Sequence, residues 1–100
     1  MPVWTVTFSD KSEMMKIRAD KARRERHIAY MRAHPEIRVA DGLRVVPKQD
    51  FNGAIWTVEA DSRRAVERLI LKDPYYVPSI RSYRIEEAAR STDVMASLKQ

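Results

Sequence analysis

Residues 3–9 alternate bulky apolar side chains with hydroxyl side chains: Trp4, Val6 and Phe8 fall on one face, Thr5 and Thr7 on the other. A two-residue period of this kind predicts a strand with one buried face. Residues 12–34 then run without a glycine or proline and are rich in good helix formers. They predict a short opening turn followed by a main helix from about Asp20, whose side chain can cap the free N–H groups. Met14, Ile17, Ile28 and Met31 are expected to form its apolar stripe, interrupted by Lys21 and Arg24. Pro35 ends the helix, because the residue before a proline is pushed out of helical space.

Residues 37–46 read as a second strand with a kink at Asp41-Gly42, since a glycine within a strand marks a bulge or a close backbone approach. A polar turn over 47–53 leads to a third strand at 54–60. There Trp56 and Val58 face one way and Ile55 and Thr57 the other, and the strand pairs with the second as a hairpin. Asp61 or Ser62 caps a second helix with a compact stripe of Ala65, Val66, Leu69 and Ile70. Asp73-Pro74 terminates it. Residues 79–86 alternate again and give a fourth strand.

The order β-α-β-β-α-β predicts an α+β domain of ferredoxin-like topology, with a four-stranded antiparallel sheet and both helices on one face. Residues 1–87 make this domain and 88–100 a polar tail. The uncovered face, carrying Thr5, Thr7, Ile55 and Thr57 with residues of strands two and four, is expected to be apolar enough to pair with a second copy, giving a homodimer.

Composition narrows the function classes. A chain of 100 residues, 44% hydrophobic and 33% charged, suits one soluble domain. It has no cysteine, which excludes disulfides, thiolate metal sites and a cysteine nucleophile. No apolar run approaches the roughly 20 residues needed to span a bilayer, and the start of the chain lacks the pattern of a signal peptide. A cytoplasmic protein is the expectation. The net charge is +5, with a basic cluster at Lys21, Arg23, Arg24 and Arg26. Glu13, Asp20 and Glu25 are interspersed, however, and no aromatic residue sits within the cluster to stack on bases. Nucleic acid is therefore not the expected partner. With only two glycines there is no phosphate-cradling loop, and no cofactor is expected. Nor is a metal: His27 and His34, both on one helix, do not supply three or four convergent ligands.

His27 precedes Ile28 and so lies about 100° round the helix from the apolar stripe, at the edge of the core. Imidazole is the side chain whose ordinary pKa lies nearest neutrality, suited to taking and returning a proton. Asp73 ends the second helix, with Pro74 holding it extended. Packed side by side, the two helices can bring these residues together. The carboxylate would then fix the tautomer and leave one ring nitrogen as a base. Equally, a histidine at a helix edge can be purely structural, and Asp-Pro a simple stop signal. Tyr75 and Tyr76 can line a pocket, and Arg44 can hold a carboxylate or phenolate. His34 reads as a partner for the helix C-terminus, and Tyr30 as core.

Three segments resemble the YciI-like (YCII-related) family. Arg24-Glu25-Arg26-His27-Ile28-Ala29-Tyr30-Met31 is similar to its R-x-x-H-L-x-Y-L stretch. Val58-Glu59-Ala60-Asp61-Ser62-Arg63-Arg64-Ala65 resembles its V-E-A-x-S-x-x-A passage, and Asp73-Pro74-Tyr75 its D-P-Y signature. The resemblance covers residues 3–86, with the motifs in order. It implies a dimeric α+β barrel with His27 and Asp73 as an active-site pair. The family includes dehydrochlorinases, and its fold is shared with isomerases and cofactor-free monooxygenases. Where relatives carry Ala-Gly-Pro on the second strand, this chain has Ala40-Asp41-Gly42-Leu43, keeping the glycine. Gly42 therefore joins Arg44, Tyr75 and Tyr76 as a candidate substrate-binding residue. The aromatic residue that often follows the fourth strand is replaced by Glu86-Glu87-Ala88. The function expected from the whole is a cofactor-independent enzyme working by proton transfer, an elimination or isomerisation, on a small anionic or aromatic molecule. The alternative is a non-catalytic ligand-binding or assembly module.

Overall fold

The computed structural model describes residues 1–39 and 53–88. Four strands, β1 (Val3–Asp10), β2 (Ile37–Val39), β3 (Gly53–Glu59) and β4 (Arg81–Glu87), form one antiparallel sheet in the order β2-β3-β1-β4. Three helices, α1 (Met14–Ala19), α2 (Lys21–Ala33) and α3 (Arg63–Lys72), complete the chain. This is the ferredoxin-like order, with β1 and β3 central.

The alternation of β1 and β3 sets the core. Val6, Phe8, Trp56 and Val58 are buried on the face covered by helices, and Val66 and Ile70 of α3 come down onto them. The register pairs Val6 with Trp56 and with Ile85, so the central strands carry the largest apolar side chains. Phe8 and Trp56 meet edge to face, with ring centroids 4.7 Å apart, the arrangement their ring quadrupoles favour.

The starts of α2 and α3 are capped locally. Asp20 accepts from the Arg23 N–H at 3.1 Å and Ser62 from the Ala65 N–H at 3.1 Å, satisfying donors that have no partner inside the helix. The expected opening turn is a six-residue helix, α1, separated from α2 by extended Asp20. Met14 of α1 is buried.

Helix α2 departs from expectation. Ile28, placed in the apolar stripe on the sequence, is 41% exposed. The side turned toward the protein instead carries His27, Tyr30, Met31 and His34, all half-buried. Polar partners on other elements hold this face inward, Asp73 for His27 and the Leu69 carbonyl for Tyr30.

The face of the sheet away from the helices carries Thr5, Thr7, Ile55 and Thr57, as expected. On the β4 side, however, the register adds Ser82, Arg84 and Glu86, and Arg84 pairs with Glu86 at 2.9 Å. That face is thus more polar than the sequence suggested, because the parity of β4 sends Arg81, Tyr83 and Ile85 inward. Among the described residues, no helix is long and apolar enough to cross a membrane. Residues 40–46 of the expected second strand, residues 47–52 of the expected turn and the tail from residue 89 lie outside the described residues, while Gly53, expected in the turn, opens β3.

Candidate active site

Helix α3 ends at Asp73, whose backbone turns extended (φ −68°, ψ 127°) just before Pro74. The turn swings the carboxylate back beneath α2, where it is buried. Its Oδ1 lies 2.6 Å from His27 Nδ1 and also accepts the Tyr75 N–H at 3.1 Å. With Asp73 ionised, Nδ1 carries the proton and donates it to Oδ1. That tautomer leaves the Nε2 lone pair free to accept a proton. The Asp73 side chain is 1% exposed and that of His27 18%, so the carboxylate is sealed and the imidazole is reachable at its edge. Asp73 Oδ2 is buried and makes no hydrogen bond among the described residues.

Tyr75 lies flat on the imidazole, with centroids 3.9 Å apart and planes inclined by 9°. The ring orientation of His27 is therefore held twice, at Nδ1 by a carboxylate and across one face by a phenol. Burial raises the Tyr75 hydroxyl above its ordinary pKa. Arg24 and Arg18 pull against that rise, Asp73 adds to it and Arg81 pulls against it. The phenol therefore keeps its proton at neutral pH and remains a hydrogen-bond donor.

Tyr30, one turn beyond His27, donates its hydroxyl to the Leu69 carbonyl at 2.6 Å and so ties α2 to α3. Its pKa is pushed up to about 12, first by burial and then by the nearby carboxylates Asp73 and Glu36. Tyr76 takes a different direction from Tyr75. Its N–H bonds to the Asp73 carbonyl at 2.8 Å, and its ring meets Tyr83 edge-on at 5.8 Å within the core. His34 stands at the C-cap of α2 and packs against Tyr30, with centroids 4.4 Å apart. Gly42 and Arg44 lie outside the described residues.

A second polar cluster escaped the sequence reading. Asp10, at the end of β1, receives Arg81 Nε at 2.7 Å and Nη2 at 2.9 Å, and Arg18 Nη2 at 3.0 Å. Arg18 Nη2 also donates to the Gly53 carbonyl at 3.2 Å. The signal was strand parity: Asp10 continues the inward series Trp4, Val6, Phe8, and Arg81 shares the inward side with Tyr83 and Ile85. A recess of ≈ 250 Å³ lined by Ser9, Asp10, Lys11, Ser79 and Arg81, among others, opens beside this pair. Among the described residues no three His, Asp or Glu side chains converge as metal ligands.

Neither a family model nor a curated protein matches the chain. Among solved structures its fold is similar to that of 5-chloro-2-hydroxyhydroquinone dehydrochlorinase (TftG) from Burkholderia phenoliruptrix AC1100, in complex with 2,5-dihydroxybenzoquinone. The two share 18% identity over 90% of this chain and 96% of that chain, with a TM-score of 0.65. The likeness shows the fold: an α+β domain with a four-stranded antiparallel sheet.

Proposed function

We propose that this chain is a YciI-like, cofactor-independent enzyme that moves a proton on a small anionic or aromatic molecule. His27 is the general acid/base, Asp73 aims it and Tyr75 borders the substrate. The observation that carries the reading is the 2.6 Å contact between His27 Nδ1 and a buried Asp73 carboxylate. It supports a ring whose second nitrogen takes up a proton, and such a base contributes typically about 10²–10⁴-fold to rate.

Elimination suits the arrangement. Nε2 takes a proton from the substrate while a carbon–halogen bond breaks and the halide leaves with the bonding electrons. Isomerisation needs only that the proton be returned to another atom. The structural neighbour is a dehydrochlorinase holding a quinone ring, which favours a ring-shaped, oxygenated substrate over an extended one. Residues 1–87 form the catalytic domain and 88–100 a tail. Two copies pair through the sheet face bearing Thr5, Thr7, Ile55 and Thr57, and the protein works in the cytoplasm.

The test is turnover of a panel of chlorinated hydroquinones and lactones by the wild-type protein and by His27→Ala, following chloride release and ring absorbance. At least one member should react, with the variant slower by about 10²–10⁴-fold. Equal rates in the two proteins, or no turnover of any member, would leave a binding or assembly module instead.

A further inference from the structure

We infer that Arg63 guards the open edge of β4 against a second copy of this chain, by covering the Ile85 carbonyl at the centre of the register in which two β4 strands match. The inference stands apart from the proton-transfer reading and from pairing through the sheet face.

Strand β4 ends the order β2-β3-β1-β4, so among the described residues one of its sides has no neighbouring strand. Alternation along the strand decides which groups face that side. The Lys11 N–H donates to the Ile80 carbonyl at 2.9 Å, and the Ala88 N–H to the Val3 carbonyl at 2.8 Å. Even-numbered residues from 80 to 88 therefore direct their backbone groups to β1, and Arg81, Tyr83, Ile85 and Glu87 turn theirs to the open side. Two of those groups are covered. The Arg81 N–H bonds to the Val77 carbonyl at 2.8 Å. The Ile85 carbonyl accepts from Nη1 of Arg63, the first residue of α3, at 3.0 Å. Arg63 Nε also lies 3.7 Å from Glu67 Oε1, which steadies the arm. An open edge is a template for a further strand, and a charged side chain laid over it is one way a folded chain prevents that.

The partner follows from the side chains. Across this edge only odd-numbered residues can pair, because they alone present N–H and C=O outward. Two antiparallel β4 strands centred on Arg84 would set Arg84 against Arg84, and centred on Glu86 they would set Glu86 against Glu86. Like charges directly opposite are destabilising. Centred on Tyr83, the ladder needs the Arg81 N–H, which Val77 already holds. Centred on Ile85, each Arg84 faces the Glu86 of the other copy, so opposite charges meet twice. Within one chain Arg84 and Glu86 pair at 2.9 Å with side chains 72% and 58% exposed, and such a surface pair is readily exchanged. That register requires the Ile85 carbonyl to accept the N–H of the second copy's Ile85. Arg63 occupies it.

The test compares the mass of the wild-type protein and of Arg63→Ala across a concentration series, by light scattering on a sizing column. Whatever assembly the wild type forms, Arg63→Ala should reach at least double its mass at the upper end. Arg64→Ala, at the neighbouring exposed arginine of α3, serves as the control and should match the wild type. Adding Arg84→Glu to Arg63→Ala sets two carboxylates against each other and should return the mass to that of Arg84→Glu alone. Thermal melts confirm that each variant is folded. A second measurement needs no variant: in the wild type the Tyr83 and Ile85 amides should exchange about tenfold or more faster than those of Arg84 and Glu86. Tyr83 and Ile85 amides as slow as their neighbours would show an edge already closed and would overturn the guard. So would a folded Arg63→Ala protein of unchanged mass at every concentration, an equal rise in Arg64→Ala, or a rise that Arg84→Glu leaves in place.

Discussion

Arg81 grips Asp10 at both carboxylate oxygens, with Nε 2.7 Å from Oδ1 and Nη2 2.9 Å from Oδ2. The two residues face each other across the β1–β4 register, with side chains only 2% and 1% exposed. The Arg81 guanidinium also lies over the Phe8 ring, 4.5 Å from its centroid. An ion pair this deep pays for desolvation with geometry: a bidentate fork, a second arginine on Oδ2 and an aromatic face below.

The pair should behave asymmetrically under mutation. Arg81→Met leaves Asp10 buried with only the half-exposed Arg18 as partner. We expect a loss of about 3 kcal/mol, the lower end for breaking a buried pair, because Arg18 still compensates part of the charge. The double variant Asp10→Leu with Arg81→Met should regain most of that stability, since an apolar pair of similar size is often neutral. Urea unfolding of the three proteins decides it. A double variant no more stable than the single one would mean that the pair is needed for the fold itself.

Tyr30 predicts the alkaline limb of stability. Its folded-state pKa is about 12, above the ordinary tyrosine value of about 10 that the unfolded chain would show. Between those values the unfolded state has released the proton and the folded state still holds it. Stability from this group is therefore complete below about pH 10 and is lost as pH rises toward 12. Burial also raises Tyr75 and Tyr83, which adds to the same limb. Tyr30→Phe should flatten the fall between pH 10 and 12 relative to the wild type. At neutral pH it should cost about 1 kcal/mol for the hydrogen bond to Leu69. Unfolding midpoints across that range, with tyrosinate absorbance as a parallel signal, supply the measurement. An unchanged slope in the variant would assign the limb to other groups.

Local signals carried most of the architecture. The alternation in β1, the Val66 and Ile70 stripe of α3, and the caps at Asp20 and Ser62 are properties of a few adjacent residues, so the chain displays them directly. Helix α2 was harder to read, since its inward face is chosen by distant partners. His27 is held by Asp73, 46 residues away, and Tyr30 by the Leu69 carbonyl, 39 away. Those polar bonds outweigh the modest gain of burying Ile28, which turns outward. The couple of His27 and Asp73 was named on a resemblance and on helix geometry, and its contact could only be measured in three dimensions. Arg81 and Asp10 show the remaining gap. Strand parity points both inward, but nothing short of the β1–β4 register, which joins residues 71 apart, says that they meet.

Asp73→Asn offers the sharpest probe of the site. In the native protein one oxygen, Oδ1, accepts from both His27 Nδ1 and the Tyr75 N–H, while Oδ2 is buried without a partner among the described residues. An amide has one oxygen and one NH₂ group. If its oxygen keeps the two existing bonds, its NH₂ occupies the orphan position and leaves a buried donor unpaired, which costs roughly 1–3 kcal/mol. If it flips, its NH₂ faces Nδ1, which must then give up its proton and become the acceptor. The imidazole proton moves to Nε2, and the nitrogen meant to act as base is blocked. That second arrangement also takes the acceptor away from the Tyr75 N–H, so either way a donor is stranded and the variant should lose roughly 1–3 kcal/mol, while the ¹⁵N shifts of the His27 ring read which tautomer it holds. On the proposed reaction kcat should fall by about 10–100-fold or more with KM nearly unchanged, because the carboxylate aims the ring and does not touch the substrate. Retention of the Nδ1–H tautomer together with native kcat would show that Asp73 holds a helix end and nothing more.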